Sequence, residues 1–148
     1  MSRLHLHIAV DDIQKNIEFY SALFGASPTK VEIDYAKWQL DDPKVNFAIS
    51  NRSKSTGVDH VGIQTESTEE LEAIEQRLTD AGIKGVQQEA STCCYSESEK
   101  YWAMDPQDIP WETFHTLNSA QVFKLDDDNA SDDSNNSCCA PSIPSSCC

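Results

Sequence analysis

The stretch HLHIAV, residues 5–10, is echoed farther along the chain by HVGIQT, residues 60–65. In both stretches the apolar residues fall at alternate positions, a period of two that predicts a short strand with one buried face. Both stretches also begin with a histidine, His5 in the first and His60 in the second. The chain therefore contains a weak internal repeat, and the two imidazoles occupy equivalent places in it.

Each of these predicted strands is followed by a predicted helix. The first helix should cover about residues 13–24, where apolar residues recur on one face and a glycine follows the last turn. The second should cover about residues 68–81. Ser67, three residues before Glu70, is typical of the capping box that starts a helix.

Further strand-like segments follow each helix, and an Asp-Pro turn recurs among them. They cover residues 36–40 and 45–49 in the first half and residues 92–96, 100–104 and 111–116 in the second. The pattern predicts an α+β protein made of two βαβββ modules, at about residues 3–50 and 58–116, with a mixed or mainly antiparallel sheet. The two modules would form one domain, residues 1–119.

Composition limits the class of protein. The chain has 148 residues and a net charge of −14, a size that suits one domain. It has no basic stretch to follow a phosphate backbone, so we expect no nucleic-acid partner. No apolar run approaches the roughly 18 residues of a membrane span, and no signal region is visible, so we expect no membrane association and a cytoplasmic location. Residues 120–148 are acidic and polar, which predicts a disordered tail.

The six cysteines form three adjacent pairs, unlike the spread of cysteines in a disulfide framework. A soft, trivalent, thiophilic centre can take two neighbouring thiolates at once, so the interior pair is a candidate site for such a partner. The alternative is that these cysteines are buried as small hydrophobic residues. The two tail pairs are either accessory thiols or part of a dispensable extension. The pairs are Cys93-Cys94, Cys138-Cys139 and Cys147-Cys148.

A second set of residues suits a divalent metal with open coordination positions. Packing the two modules together would bring His5 and His60 toward a shared cleft, and Glu112, in the last strand of the second module, would add a carboxylate. Two histidines and one carboxylate are typical of non-haem Fe(II) oxygenases. His7 shares a strand face with His5 and competes with it as the first ligand, although Gly62 takes its place in the repeat.

These motifs resemble the vicinal-oxygen-chelate superfamily, also called glyoxalase/bleomycin-resistance/dioxygenase, over about residues 3–116. In the first half the resemblance lies in residues 5–13, in FY at 19–20 and in LFG at 23–25. In the second half it lies in DHVGI at 59–63, DP at 105–106 and WE at 111–112. It implies two βαβββ modules around a metal-containing cleft. A glyoxalase I-like site would need a fourth ligand near Ala48, which this chain lacks.

Residues 90–95, ASTCCY, with YW at 101–102 and WETF at 111–114, resemble the organoarsenical lyases, some of which are named cadmium-induced proteins. The resemblance implies an Fe(II)-dependent enzyme that uses dioxygen to cleave the carbon–arsenic bond of trivalent methyl- or aryl-arsenicals. The product would be inorganic arsenite, and the activity would give resistance to organoarsenicals.

Carried over by position, the resemblance implies that His5, His60 and Glu112 bind iron and that Cys93 and Cys94 bind arsenic. Some relatives place Gln where His5 stands. Four aromatic residues are candidate pocket walls, although aromatic residues in such strands are commonly core residues: Trp38, Tyr95, Tyr101 and Trp102. The alternative function is a non-catalytic protein that binds cadmium or arsenite on the same scaffold. The sequence leaves open whether the protein is a monomer or a homodimer.

Overall fold

The computed structural model describes residues 2–93 and 96–119, so the predicted tail at residues 120–148 lies outside the described residues. Ten elements follow one another within the described part: β1 (Arg3–Ala9), α1 (Ile13–Phe24), β2 (Lys30–Glu32), β3 (Tyr35–Asp41), β4 (Lys44–Ser50), β5 (Gly57–Thr65), α2 (Thr68–Asp80), β6 (Gly85–Cys93), β7 (Ser96–Met104) and β8 (Pro110–Ser119).

Both helices begin at a capping side chain. Asp12 accepts a hydrogen bond of 3.0 Å from a backbone N–H in the first turn of α1, and Ser67 accepts one of 3.3 Å in the first turn of α2. α1 ends at Gly25, whose φ of 63° is in the left-handed region that favours glycine. Both predicted helices are confirmed to within one residue at their ends. Of the two helices in the described part, neither combines the length and the apolar character that a membrane crossing requires.

The eight strands of the described residues form one sheet in the order β2-β3-β4-β1-β5-β8-β7-β6. At its centre β1 and β5 pair antiparallel. Each of them is flanked in parallel by the last strand of its own module, β4 beside β1 and β8 beside β5. The outer pairs are antiparallel. The sheet is mixed, and the predicted α+β class is confirmed.

Backbone register relates the two modules by an approximate twofold axis between β1 and β5. His5 lies opposite Gly62, and His7 lies opposite His60. The twofold axis relates His5 to His60 and His7 to Gly62, so each of the two pairs maps onto the other, as the sequence repeat predicts.

The flanking strands follow the same relation. Ala48 on β4 lies opposite His7, and Glu112 on β8 lies opposite Gly62. Ala48 and Glu112 therefore occupy equivalent places, one in each module.

Two strands differ from the prediction. β2 has three residues and lies at one edge of the sheet, and no sequence pattern indicated it. The predicted strand at residues 92–96 is divided, since β6 ends at Cys93 and β7 begins at Ser96, while residues 94–95 lie outside the described residues. β6 is the other edge strand. It begins in a polar stretch without the apolar alternation of a half-buried strand.

The helices pack against one face of the sheet, and among the described residues the buried cluster beside α1 is larger than the one beside α2. Beside α1 the buried cluster consists of Val10, Ile13, Ala36, Trp38, Phe47 and Ile49. Beside α2 it consists of Leu71, Tyr101 and Ala103. An apolar cavity of about 270 Å³ lies next to this second cluster, between α2 and the sheet, and is lined in part by Ile74, Leu78 and Ala103.

Candidate metal centre

Two imidazoles meet at the centre of the sheet, on the face opposite the helices. His5 on β1 and His60 on β5 are both buried, and their Nε2 atoms lie 3.1 Å apart. They come together because His60 lies opposite His7, two residues along β1 from His5 and on the same face of the sheet, so that His5 and His60 are diagonal neighbours.

A carboxylate joins them from the neighbouring strand. The Oε2 atom of Glu112 on β8 lies 3.3 Å from Nε2 of His60 and 3.6 Å from Nε2 of His5. The close approach of β8 requires a glycine on β5, because a Cβ atom at Gly62 would lie 1.9 Å from the Glu112 carbonyl oxygen. Gly62 takes the place of His7 in the repeat, and its lack of a side chain makes room for β8, which carries Glu112.

The three donor atoms fit one face of a metal coordination shell. Ligand atoms about 2.1 Å from a shared metal and separated by tetrahedral or octahedral angles lie about 3.0–3.4 Å from one another. The observed edges of 3.1, 3.3 and 3.6 Å are close to this range. The three protein donors would occupy one side of the metal and leave its other positions open.

Each of these three side chains is also held on its outer side. Nδ1 of His5 donates to the backbone carbonyl of Asn46 at 3.0 Å, and Nδ1 of His60 lies 2.7 Å from the Asp59 carboxylate. Oε1 of Glu112 accepts a hydrogen bond of 2.5 Å from Nζ of Lys100. Partners of this kind fix the ring orientation and the tautomer of metal-binding histidines, so that each Nε2 presents its lone pair inward.

The electrostatics of the centre favour the metal-binding forms of His5 and Glu112, whereas His60 would release a proton when a metal binds. Burial and the neighbouring His60 lower the pKa of His5 to about 4. Burial would raise the pKa of Glu112, but the Lys100 ammonium and His60 outweigh it and hold that pKa well below its usual range. Burial also opposes the charged form of His60, yet hydrogen bonds to Asp59 and Glu112 raise its pKa. At neutral pH His5 is a neutral imidazole and Glu112 is ionised, as divalent metals require.

His7 offers a second donor set. One ring nitrogen from each of His5, His7 and His60 lies within 4.8 Å of the others. Nε2 of His7 is 2.9 Å from the hydroxyl of Ser50, and its buried Nδ1 has no hydrogen-bond partner among the described residues. The set that contains Glu112 has edges of 3.1, 3.3 and 3.6 Å and supplies the anionic donor. His7 remains the nearest further imidazole.

A small polar cavity of about 30 Å³ opens beside the centre, which is room for little more than one or two water-sized groups. Its walls include Tyr35, Lys37, Ser98 and Phe114, together with the side chains of His5, His7, Asn46, Lys100, Glu112 and Thr116. A reactant of a few atoms could therefore reach the open side of the centre.

The predicted aromatic pocket residues lie in different places. Trp38 and Tyr101 pack in the cores beside α1 and α2, on the helix-covered face. Trp102 lies on the site face, with its ring centre 5.3 Å from that of His60. Tyr95 lies outside the described residues.

Of the predicted thiols, Cys93 is the last residue of β6, opposite Ser96 at the start of β7. The others lie outside the described residues: Cys94, Cys138, Cys139, Cys147 and Cys148.

Lys100 is one residue of the centre that sequence reasoning missed. A lysine in a strand is normally exposed, and its neighbours along the chain give no sign of burial. The available signal is the period of two along β7, which places Lys100 on the same face as Trp102, directly across from the strand that carries Glu112. That signal has meaning only once the register of β7 and β8 is known.

Comparison with known proteins shows the family to which the chain belongs. Residues 3–113 match the family model of the Glyoxalase/Bleomycin resistance protein/Dioxygenase superfamily. The chain is 39% identical over 152 residues to the trivalent organoarsenical cleaving enzyme of Bacillus sp. (strain MD1), which covers 98% of this chain and 94% of the relative. It is 32% identical over 124 residues to the cadmium-induced protein CadI of Mycobacterium tuberculosis (strain H37Rv), which covers 83% of this chain and 82% of the relative.

Among solved structures, an extradiol ring-cleaving dioxygenase from B. fuscum superposes with a TM-score of 0.60 at 13% identity, over 80% of this chain and 34% of that chain. This likeness concerns the fold. The family match across both modules and the identity to near-full-length relatives lead to the same conclusion as the sequence motifs: the chain belongs to the glyoxalase/bleomycin resistance protein/dioxygenase superfamily, alongside relatives named trivalent organoarsenical cleaving enzyme and cadmium-induced protein.

Proposed function

We propose that the protein is an Fe(II)-dependent lyase that uses dioxygen to cleave the carbon–arsenic bond of trivalent organoarsenicals. The substrates would be methylarsenite and aryl arsenicals, and the product inorganic arsenite. For methylarsenite the reaction with dioxygen balances as arsenite plus formaldehyde: the carbon–arsenic bond breaks, the methyl carbon is oxidised and arsenic stays trivalent. An aryl group that leaves as a phenol would need a two-electron reductant as well. The observation that carries the proposal is the triangle of donor atoms from His5, His60 and Glu112, with edges of 3.1, 3.3 and 3.6 Å. The 39% identity to a trivalent organoarsenical cleaving enzyme supports the choice of substrate.

In this proposal the two imidazoles and the carboxylate hold Fe(II) from one side. When bound, the iron would supply the oxidising chemistry with dioxygen. The protein holds the ligands rigidly, since all three side chains are buried and each is bonded on its outer side. The burial also limits the access of bulk water to the reacting atoms.

The substrate would be held by Cys93 and Cys94. Trivalent methylarsenic has one carbon substituent and two exchangeable positions, and two thiolates fill both. The β6–β7 register supports a location near the metal, because Cys93 lies opposite Ser96 and Ser98, two residues farther along β7, lines the cavity beside the centre. Two residues of a strand span about 7 Å. A fixed arsenic would present its carbon in one direction, and such positioning lowers the barrier to reaction.

The alternative is a protein that binds cadmium or arsenite without turnover. The observation that favours it is the number of thiols, since the chain has six cysteines in three adjacent pairs. The two functions differ in what happens to the carbon–arsenic bond, so arsenic speciation separates them.

The test uses the full-length protein reconstituted with Fe(II) and supplied with methylarsenite in air. We expect release of inorganic arsenite, and we expect none after chelation of the metal or under nitrogen. Cys93→Ser and Cys94→Ser should each lose turnover while retaining iron, since neither sulfur belongs to the proposed ligand set. Arsenic retained on the protein with its methyl group intact would favour the binding protein. Normal rates in both cysteine variants would exclude the thiolate clamp.

A further inference from the structure

Lys100 places an ammonium group inside the candidate metal centre. Its side chain is only 4% exposed, as is that of Glu112, and its Nζ lies 2.5 Å from Oε1 of Glu112. The ammonium also lies 5.9 Å from the centre of the Phe114 ring. Lysine is almost never fully buried unless it is paired, so the Glu112 carboxylate is a partner that this burial requires.

The two oxygens of Glu112 have different surroundings. Oε2 faces the imidazoles, at 3.3 Å from His60 and 3.6 Å from His5, whereas Oε1 faces Lys100. A histidine in this centre can offer only its one inward nitrogen. A carboxylate can bind a metal through one oxygen or through both, and its mode decides how many positions stay open.

We propose that Lys100 is a positioning residue that restricts Glu112 to one-oxygen coordination and so keeps one coordination position free for the reactants. The inference rests on the proposed function only in taking Fe(II) as the metal. It concerns the geometry of the carboxylate and can be tested without turnover.

Charge balance alone does not account for Lys100. A divalent metal would neutralise the Glu112 carboxylate by itself, and an ammonium bonded to that carboxylate repels the incoming cation. Lys100 therefore opposes metal binding through its charge while it supports the ligand through its hydrogen bond. A residue that holds the outer oxygen in spite of this repulsion is understood as a restraint on the coordination mode, since binding through both oxygens would occupy a position that a reactant needs.

The test measures the carboxylate directly by infrared difference spectroscopy on the full-length protein, Fe(II)-loaded minus metal-free, under nitrogen. The antisymmetric and symmetric stretches of a metal-bound carboxylate are widely separated when one oxygen binds and move together when both bind. We expect a wide separation in the wild-type protein and a narrow one in Lys100→Met, which keeps the length and burial of the side chain but removes the ammonium. The dissociation constant for Fe(II), from competition with a chelator, should not rise in Lys100→Met, because the repelling charge is lost together with the hydrogen bond to Glu112.

Two further variants separate the bond from the charge. Lys100→Gln retains a hydrogen-bond donor without the charge and should retain the wide separation. Lys37→Met removes a positive charge from the wall that β3 contributes to the same cavity. It should leave the stretches of the Glu112 carboxylate where they are in the wild-type protein.

A wide separation in Lys100→Met, or a narrow one in the wild-type protein, would overturn the inference. So would weaker Fe(II) binding in Lys100→Met, which would show that the lysine merely supports the structure of the site. Failure of the proposed function looks different, because the wild-type protein would then bind Fe(II) with the expected carboxylate spectrum yet release no arsenite from methylarsenite.

Discussion

The two modules share one topology but differ under their helices. In the first module Trp38 on β3 lies opposite Phe47 on β4, and both aromatic rings pack in the core beside α1. The equivalent positions in the second module hold Ala103 and Trp111. Where the first module has the buried ring of a tryptophan, the second has a methyl group. The apolar cavity of about 270 Å³ lies at this place.

The other face of the sheet shows the opposite distribution of chemistry. Ala48 in the first module corresponds to Glu112 in the second. By the same register, Tyr35 corresponds to Lys100. At these two pairs of equivalent places, the carboxylate and the buried cation are both in the second module. Among the described residues, the comparison indicates that the first module supplies most of the packing under the helices and the second module most of the reactive groups on the other face. Each of the following predictions tests one part of this division.

The largest effect is expected at Glu112. Glu112→Gln keeps the size of the side chain but removes the anionic donor, and turnover of methylarsenite should fall to background. This loss of activity should exceed the roughly 10- to 100-fold loss that follows when a residue bonded to the outer side of a metal ligand is removed. Ala48→Ser at the equivalent place should retain most of the activity. The division fails if the two substitutions reduce the rate equally.

The next largest effect concerns the core of the first module. Trp38 is fully buried, so Trp38→Ala should lower the free energy of unfolding by about 3–5 kcal/mol, as measured by urea denaturation. Trp111 is 37% exposed, and Trp111→Ala should cost clearly less. A greater loss for Trp111→Ala would show that the second module carries the packing after all.

The pH dependence of stability should also differ between the two modules. The pKa of His5 is lowered from 6.5 to about 4 by burial and by His60, and that of His7 is lowered well below its usual value, first by burial and then by His60. As the pH falls, these histidines become protonated in the unfolded chain at a higher pH than in the folded protein. The free energy of unfolding is therefore lost as the pH falls from about 6.5 toward 4. For a shift of this size the loss is at most a few kcal/mol.

His60 of the second module has a raised pKa, because Asp59 and Glu112 outweigh its burial. The contribution of His60 to the free energy of unfolding therefore has the opposite sign. It is fully present below the pKa of His60 in the unfolded chain and is lost as the pH rises through its pKa in the folded protein. Urea denaturation of metal-free protein at pH 7 and pH 5 measures the net effect. His5→Gln should show a smaller difference between the two pH values than the wild-type protein. An unchanged difference would mean that His5 does not control the acid sensitivity.

The smallest effect should come from filling the second core. Ala103 lines the cavity beside α2, so Ala103→Leu should raise the free energy of unfolding by about 0.5–2 kcal/mol. The activity should change little, because Ala103 lies on the helix-covered face. A loss of stability would show that the second module is already fully packed at this position.

Local patterns in the sequence were enough to predict both helices and the pairing of the two repeats. Asp12 and Ser67 mark helix starts, and alternation marks the strands that carry His5 and His60. β2 and the first part of β6 were missed because they are edge strands, and an edge strand with polar faces has no buried side to impose alternation.

The centre itself was predictable only in part. The repeat drew attention to His5, His60 and Glu112, and the structure brings these three together. Lys100 and Asn46 could not be recognised, because the contact of each is made across strands whose register the sequence does not state. The aromatic residues show the same limit: Trp38 and Trp102 both belong to buried strands, but only a register assigns them to opposite faces of the sheet.

The parallel pairs on either side of the twofold axis have a consequence for sequence change. In each pair one large side chain faces one small one: His7 faces Ala48, and Glu112 faces Gly62. A carboxylate at residue 48 would meet the buried ring of His7. A larger side chain at residue 48 therefore requires a smaller one at residue 7. We expect Ala48→Glu and His7→Gly to be strongly coupled in a double-mutant cycle, each damaging alone and milder in combination. Together they would give the first module the same small-and-acidic pair as the second, and a three-donor centre would become a four-donor one by a change of two residues.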